Sequence, residues 1–361
     1  MTLHTRAVAA FAFATTLAAL SGAVAKTAAA QSTDRRTLAG REVLVFNVVG
    51  TVTVEAGAVS EVTVEVTRRG MDASRLSVEV GTERGLPALR VVFPDEDIVY
   101  PELGRRSNHE YSTGRDGRWG WGSGSWGSRR RIRVKGDGRG VEAWADLRVI
   151  IPAGRRVDVN LAVGRVDAAN VDGDLGIDVA SARVMVNGHT GTLRLNTGSG
   201  SAEVRDIKGD GLSIELGSGR TTVLGASVRR MRVESGSGGV ELDNVNAAEL
   251  TVDVGSGGVR ADRVTSDRVR IETGSGGVDL RMANSPKSLD VESGSGTVTL
   301  TLPSTLDAEV DIQTGSGGID SDFPVQVNRV ERRHLRGRVG TGNGLIRVDT
   351  GSGGVRLRKG I

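Results

Sequence analysis

The chain of 361 residues contains no cysteine, seven prolines and only 11 aromatic residues. The absence of cysteine excludes a disulfide framework, a thiolate metal site and the lipid-modified cysteine of a bacterial lipoprotein. The scarcity of aromatic residues argues against an ordinary globular core, whereas the abundance of valine, leucine and isoleucine argues against disorder. A stack of narrow coils filled with aliphatic side chains satisfies both observations.

Strong net charge and long apolar runs are also lacking. The formal net charge is +3, so the composition indicates no general affinity for nucleic acid. After residue 30, no stretch approaches the ~18 consecutive apolar residues of a membrane-spanning helix. We therefore expect no nucleic-acid partner and no transmembrane segment in the mature chain.

Residues 1–30 have the pattern of a secretory signal peptide. Arg6 precedes an apolar stretch over residues 7–20, and residues 23–25 and 28–30 both fit the small-x-small cleavage pattern. We expect residues 1–30 to be removed and the mature protein to be exported, to the periplasm, the cell surface or the extracellular medium.

A glycine-rich turn recurs along the second half of the chain. Gly-Ser-Gly begins at Gly198, Gly217, Gly236, Gly255, Gly274, Gly294, Gly315 and Gly351. The interval is constant over the first five copies, at about 19 residues, and lengthens slightly over the next two. The last interval, from Gly315 to Gly351, holds an insertion and a further glycine turn at residues 340–344. Weaker copies at residues 162–164 and 180–182 precede the series, which makes about ten repeats.

Aliphatic residues occupy fixed positions relative to the first glycine of each turn. The position three residues before it holds Leu195, Ile214, Val233, Val252, Ile271, Val291, Ile312 and Val348. The position five before it holds Leu193, Leu212, Met231, Leu250, Val269, Leu289, Val310 and Ile346. The position four after it holds Ala202, Thr221, Val240, Val259, Val278, Val298, Ile319 and Val355. Intervening positions are polar, and this period-two alternation is typical of half-buried strands.

A repeat of this length is too short for two hairpins with a core of their own, but it fits one coil of a solenoid. Each strand would pair in parallel with its copy about 4.8 Å away. We therefore predict an all-β protein, a single-stranded right-handed parallel β-helix (β-solenoid) of about ten coils of roughly 19 residues.

The remaining sequence divides into two further segments. Residues 31–100 alternate in several stretches and predict an N-terminal β-strand segment that caps the solenoid, since an open terminal coil would expose a strand edge. Residues 101–140 break the pattern and carry a net charge of +6, which predicts a flexible Gly/Ser/Trp/Arg-rich insertion. The solenoid is predicted over residues 141–361.

The repeats resemble a known family. The motifs VESGSGGVEL (233–242), IETGSGGVDL (271–280) and VDTGSGGVRL (348–357) resemble the repeats of the bacterial putative-adhesin domains of unknown function, which are related to the head-GIN putative auto-transporter adhesins. The segments 146–173 and 337–359 also resemble that family, and the likeness spans about residues 41–100 and 141–361. It implies a right-handed β-helix in an exported, envelope-associated protein, with no catalytic residues to carry over.

The turns do not fit a phosphate-binding or catalytic role. A phosphate loop leads into a helix and contains a lysine, whereas these turns join strands and contain none. The repeated serines have no positioned base, because His109, His189 and His334 are not tied to a repeat position. We therefore expect no enzymatic activity, no cofactor and no metal.

One polar position is nearly always acidic. Two residues before the turn glycine stand Asn196, Glu215, Glu234, Asp253, Glu272, Glu292, Gln313 and Asp349. Two residues earlier, arginine recurs at Arg194, Arg232, Arg270 and Arg347. Stacked carboxylates repel one another unless arginines or cations intervene. A solvated, arginine-screened face is the favoured interpretation, and a row of calcium ligands is the alternative.

The segment 101–140 is the strongest candidate for recognition. It concentrates Trp119, Trp121, Trp126, Arg129, Arg130 and Arg131, and such residues supply contacts to proteins, sugars or headgroups. The alternative is a disordered insertion without a role. We predict a non-enzymatic envelope protein, adhesin-like or a scaffold, that contacts an envelope protein, a glycan or the membrane surface. The competing hypothesis is a β-helix that binds or degrades a polysaccharide.

Overall fold

The computed structural model describes residues 33–94, 96–114, 129–331 and 333–360. Side chains are described at all of these positions except 112–114, 129–130 and 327–330. The predicted signal peptide lies outside the described residues.

The described chain is all-β. Its first strands are β1 Thr33–Leu38, β2 Glu42–Ala56, β3 Val62–Arg69, β4 Ser77–Glu83, β5 Leu86–Val92, β6 Asp97–Val99, β7 Asn108–Gly114, β8 Arg129–Lys135, β9 Val141–Glu142 and β10 Trp144–Ile151. The glycine repeats form β11 Arg155–Ser199, β12 Ala202–Ser218, β13 Thr221–Ser237, β14 Val240–Val254, β15 Val259–Thr265, β16 Arg268–Thr273, β17 Val278–Met282, β18 Ser288–Ser293 and β19 Val298–Leu302. The last strands are β20 Ala308–Thr314, β21 Ile319–Ser321, β22 Gln326–Glu331, β23 His334–Val339, β24 Gly344–Thr350 and β25 Val355–Lys359. Single turns of 3-10 helix occupy Ala73–Arg75 and Pro101–Leu103.

Most strands of the described ranges belong to one mixed sheet of 21 strands. From β11 to β19, segments one repeat apart in sequence pair in parallel, so that equivalent positions of successive repeats are register partners. Leu212 pairs with Met231, for example, and Met231 with Leu250. The result is a solenoid-like stack in which each repeat adds one level.

The aliphatic positions fill the interior, as the alternation predicts. All residues three and five positions before the turn glycine are at most 2% exposed. The position four after it is also buried, except at Ile319, which is partly buried. Burying a Val, Leu or Ile side chain contributes about 1.5–3 kcal/mol, so the stabilising contacts are spread evenly over the levels.

Antiparallel strands cover the N-terminal end of the stack. The second half of β2 pairs in parallel with β10, and β10 pairs antiparallel with β3, which pairs antiparallel with β1. The first half of β2 pairs with β5, the second strand of the hairpin β4–β5. These strands occupy the edge of β2 that does not face β11.

The segment 101–140, predicted as a flexible insertion, contains the strands β7 and β8 in its described parts. Strands β7 and β8 form an antiparallel hairpin, and β8 and β9 both pair in parallel with β6 to complete a second, four-stranded sheet. Ile132 and Val134 alternate with Arg131, Arg133 and Lys135 along β8, so the strand pattern is present. Glycine and serine in the connecting sequence concealed it.

The last levels of the stack do not follow chain order. The strand β24 pairs on one side with β18 and on the other with β20, and β25 lies in the same way between β19 and β21. The chain therefore leaves one level open, forms the outer level with β20 and β21, and returns to fill the gap. The antiparallel strands β22 and β23 add to the outer edge of β20.

Candidate functional site

The hairpin β7–β8 carries the residues that the sequence singled out for recognition. Trp119, Trp121 and Trp126 lie in the segment 115–128, outside the described residues. Arg129 and Arg130 lie at the start of β8, where the side chains are not described. Arg131 is described, with 68% of its side chain exposed. The three arginines thus lie on one strand, whereas the three tryptophans lie outside the described residues.

The three basic side chains of β8 that the structure describes are paired with acidic ones. Arg131 lies 2.9 Å from Glu110 of β7, and Asp97 of β6 lies 3.2 Å from Arg133 and 2.9 Å from Lys135. The hydrogen bond from Lys135 is the main cause that lowers the pKa of Asp97. These pairs are exposed and contribute little to stability. They do reduce the positive charge that the composition alone suggests for this face.

Aromatic side chains fix the small sheet to the rest of the protein. Tyr111 of β7 is half-buried against the core of the stack, its hydroxyl faces Ser181, and burial raises its pKa to about 12. Tyr100 follows β6 and is 3% exposed, and its ring meets that of Trp144 edge-on at 5.6 Å. The hairpin is therefore anchored to the repeat around Ser181.

The acidic column lies on the outside of the stack. Register pairing brings Glu215, Glu234, Asp253, Glu272, Glu292 and Asp349 into one uninterrupted row, because β24 follows β18 in space. Arg232 pairs with Glu234, and Arg270 lies 3.0 Å from Asp290 and 3.4 Å from Glu292. No group of three or more His, Cys, Asp or Glu side chains in the described ranges is arranged to hold a metal ion. These contacts favour the arginine-screened interpretation.

Sequence reasoning missed a buried hydroxyl position. The residue directly before the turn glycine is buried in every repeat, and it is Ser or Thr in six of eight: Thr197, Ser235, Thr273, Ser293, Thr314 and Thr350. Thr350 Oγ1 donates to Gly353 O at 2.6 Å, and Thr314 Oγ1 donates to Gly317 O at 2.7 Å. The recurrence of Ser or Thr at this position was the available signal. These hydroxyls close the turns, whereas the serine one residue after the glycine lies on the crest.

The expectation that no histidine belongs to a repeat position is also wrong. His189 is 1% exposed and is the register partner of Ile207, in an interior row that continues with Ala226 and Val245. Burial lowers its pKa. This row lies at a second corner of each repeat, where the residue just before the row has a positive φ but is glycine only at Gly188 and Gly225. The row therefore escapes an alignment on the turns.

A groove runs along the stack beside the turn crests. Its lining is Arg220, Gly239, Val240, Glu241, Gly258, Val259, Arg260, Gly277, Val278, Asp279, Thr297, Thr299 and Arg356. The groove is largely open to solvent and has a volume of about 580 Å³, within the range of small-ligand sites. The residues three positions after the first turn glycine of successive repeats form its floor. The residues five positions after that glycine form one wall. We call this feature the turn groove.

In the turns that have three glycines, the fold makes a different demand at each of the three positions. A Cβ at Gly255, the first, would lie 2.5 Å from Gly236 O, and a Cβ at Gly257, the second, would lie 2.1 Å from Gly238 O. Glycine is therefore required at both positions, where successive levels approach closely. At Gly258, the third, the nearest atom to a Cβ is 3.5 Å away and the backbone lies outside the left-handed region. The fold does not require the third glycine.

In the described part of the chain, neither of the two short helical turns has the length and apolar character of a membrane span.

Comparison with known proteins gives a family and two solved structures of low similarity. A family model described as Toastrack DUF4097 matches residues 146–358. A crystal structure described as a "putative cell adhesion protein" from Clostridium sporogenes ATCC 15579 is 11% identical, covers 91% of this chain and 100% of that chain, and has a TM-score of 0.20. A "putative lipid binding protein" from Parabacteroides distasonis ATCC 8503 is 14% identical, with coverages of 90% and 96% and a TM-score of 0.45. No curated protein matches the chain.

Proposed function

The chain belongs to the Toastrack DUF4097 family, a family of unknown function, and we propose that it is a non-enzymatic, exported protein of the bacterial envelope. In this proposal a rigid repeat scaffold, adhesin-like in the broad sense, holds a recognition hairpin against an envelope protein, a glycan or the membrane surface. The kinship with the head-GIN domains stays a prediction from the repeat motifs.

The scaffold in this proposal is a single-stranded right-handed parallel β-helix. Its support is the parallel pairing of segments one repeat apart, which is the connectivity of successive coils. Connections between parallel strands of one sheet are right-handed in nearly all proteins. Interior rows of aliphatic side chains make such a stack stiff, because every level packs on two neighbours.

The observation that carries the proposal is the anchoring of the hairpin. Gly114 and Arg129 are register partners, so the two residues that flank segment 115–128 lie side by side. Tyr111 packs the hairpin against the core beside Ser181. The sequence between the two flanking residues contains three of the four tryptophans of the chain, and tryptophan and arginine dominate recognition surfaces. A fixed base and such a sequence suit a binding role.

Cosedimentation with purified cell envelopes tests this proposal. We expect the variant with Trp119, Trp121 and Trp126 all replaced by Ser to lose most of its envelope binding and to keep its melting temperature. The control replaces Ser123, Ser125 and Ser128 of the same segment by Ala and should bind normally. Equal binding by both variants contradicts the hairpin proposal, and recovery of tagged protein from the cytoplasm of native cells contradicts export.

The turn groove favours a second candidate function, that of a polysaccharide-binding or polysaccharide-degrading β-helix. The groove follows the stack over several levels, as a site for a long chain would. Incubation with a glycan panel distinguishes the enzymatic form of this hypothesis, because cleavage produces new reducing ends. Their appearance at a rate that scales with protein concentration overturns the non-enzymatic proposal.

A further inference from the structure

The turn groove exists because its repeats leave out a side chain that the fold accepts. The third turn position is Gly239, Gly258, Gly277, Gly318 and Gly354 in five repeats, but it is Ser201, Arg220 and Thr297 in the other three. A Cβ at Gly239 or Gly258 would meet no atom closer than 3.5 Å. Packing therefore gives no reason for glycine here. What the missing side chains provide is open space along the groove floor.

The floor and the wall of the groove carry charged groups without ion-pair partners. Within the described ranges, none of Arg220, Glu241, Arg260, Asp279 and Arg356 forms an ion pair, although Arg260 is the register partner of both Glu241 and Asp279. Elsewhere in the same repeats, register partners of opposite charge do join: Glu249 and Arg268 lie 3.2 Å apart. The charged ends along the groove are thus available to a ligand.

The charges alternate in sign from level to level, although they do not form a single row. Glu241, Arg260 and Asp279 are register partners on the wall of the groove. Arg220 lies one level before Glu241 at the floor position, since the register partner of Glu241 in that level is Thr222. Since neighbouring strands are about 4.8 Å apart, the two arginine levels are separated by about 10 Å. Guanidinium groups bind carboxylates in a bidentate manner, and the carboxylates between them accept hydrogen bonds from hydroxyl or amide groups.

An extended glycan matches this pattern, because its rise per sugar is close to the spacing between levels. From the open floor, the unpaired charges and their alternation, we infer that the turn groove binds an extended acidic glycan with one carboxylate on every second sugar. The carboxylated sugars face the arginine levels, and the neutral sugars face Glu241 and Asp279. This site is separate from the hairpin, so either site can fail a test without the other.

Titration calorimetry with a hyaluronan octasaccharide, in which carboxylated and N-acetylated sugars alternate, tests the inference. Filling the floor with Gly239→Leu and Gly258→Leu together should weaken binding at least tenfold. The matched control is Gly318→Leu, at the same turn position but outside the groove lining, where a Cβ meets no atom within 4 Å. It should bind like the wild type. Unchanged affinity in the double variant, or no heat with the wild type, overturns the inference.

A second set of variants tests the charges without altering the backbone. Arg220→Ala and Arg260→Ala together should weaken octasaccharide binding at least tenfold, whereas Arg268→Ala, the control outside the groove, should leave it unchanged. An uncharged octamer of N-acetylglucosamine should bind at least tenfold more weakly than the hyaluronan octasaccharide. Equal affinity for the two sugars overturns the assignment of the arginines to carboxylates.

Discussion

Two adjacent glycines of one turn should respond in opposite ways to the same substitution. Gly257 and Gly258 are consecutive, and neither has a backbone in the left-handed region. A Cβ at Gly257 would lie 2.1 Å from Gly238 O and 2.6 Å from Gly238 C, in the level beneath. At Gly258 the nearest atom is Gly277 O at 3.5 Å, an ordinary contact. Alanine is therefore excluded at one position and accepted at the next.

The contact distances set the size of the effect. The carbon–oxygen contact at Gly257 falls short of a normal separation of ~3.3 Å by about 1.2 Å, and the obstacle is backbone that forms part of the stack. Relief requires the two levels to move apart, at a cost of about 1–3 kcal/mol or more, as in an overpacked core. At Gly258, alanine restricts the unfolded chain without strain and should stabilise by about 0.4–1 kcal/mol.

Urea unfolding followed by circular dichroism measures both effects. We expect Gly257→Ala to lower the midpoint clearly and Gly258→Ala to leave it unchanged or raise it slightly. Gly276→Ala and Gly277→Ala repeat the comparison one level on, although Gly277 has a closer neighbour, Thr297 O at 3.2 Å. Equal destabilisation by Gly257→Ala and Gly258→Ala would refute the distinction between required and unrequired glycines, and with it the argument for an open groove floor.

Three further predictions concern the repeat register and two buried titratable groups. Deletion of residues 240–258, one full repeat, should leave a folded β protein. Deletion of 240–248 should abolish the β signal in circular dichroism, because half a level cannot pair with its neighbours. Equal signals from the two deletion variants contradict the register. Burial lowers the pKa of His189 below its ordinary 6.5, so the folded state disfavours its protonation, and stability should fall as the pH drops below about 6.5. Between pH 7.5 and 5.5, the urea midpoint of the His189→Ile variant should fall by less than that of the wild type. Equal falls in the two proteins refute this. Burial, with a smaller effect of Asp158, raises the pKa of Asp178 to about 6. The contribution of Asp178 to the stability of the folded state is therefore present at low pH and lost as the pH rises through 6. Asp178→Asn should therefore raise the midpoint at pH 7.5 but not at pH 4, and an equal change at both values contradicts it.

The sequence predicted the interior of the repeats but not everything that lies there. The positions around the turn glycines alternate cleanly, so Val233 and Val252 were identified as interior residues, and both are fully buried. The buried hydroxyls, such as Thr350, were not identified, because side-chain chemistry alone does not reveal a hydrogen bond to a turn carbonyl. His189 was missed for a related reason, since a polar residue in an aliphatic row contradicts the pattern that defines the row.

The candidate site was predictable only in part. Composition identified the segment with Arg131 as unusual, but it did not reveal that β7 and β8 form a hairpin. Nor did it reveal that Glu110 pairs with Arg131 and Asp97 with Lys135. Those pairs join β8 to β6 and β7, and β6 is distant in sequence from β8. The turn groove was not predicted, because the sequence does not show which turn glycines have open space beside them.

The sequence by itself determined the length of each level, the glycines that let levels approach, and the side of each strand that faces inward. Those properties follow from local chemistry that every repeat carries. Tertiary structure alone decided the order of the last levels, in which β24 lies between β18 and β20. Near-identical repeats offer near-identical edges, so the local pattern does not select which copies pair. The return of the chain selects them: the hairpin β22–β23 closes the end, and the carboxylate of Asp307 accepts hydrogen bonds from Thr341, Gly342 and Asn343, fixing the turn that leads β24 back into the stack.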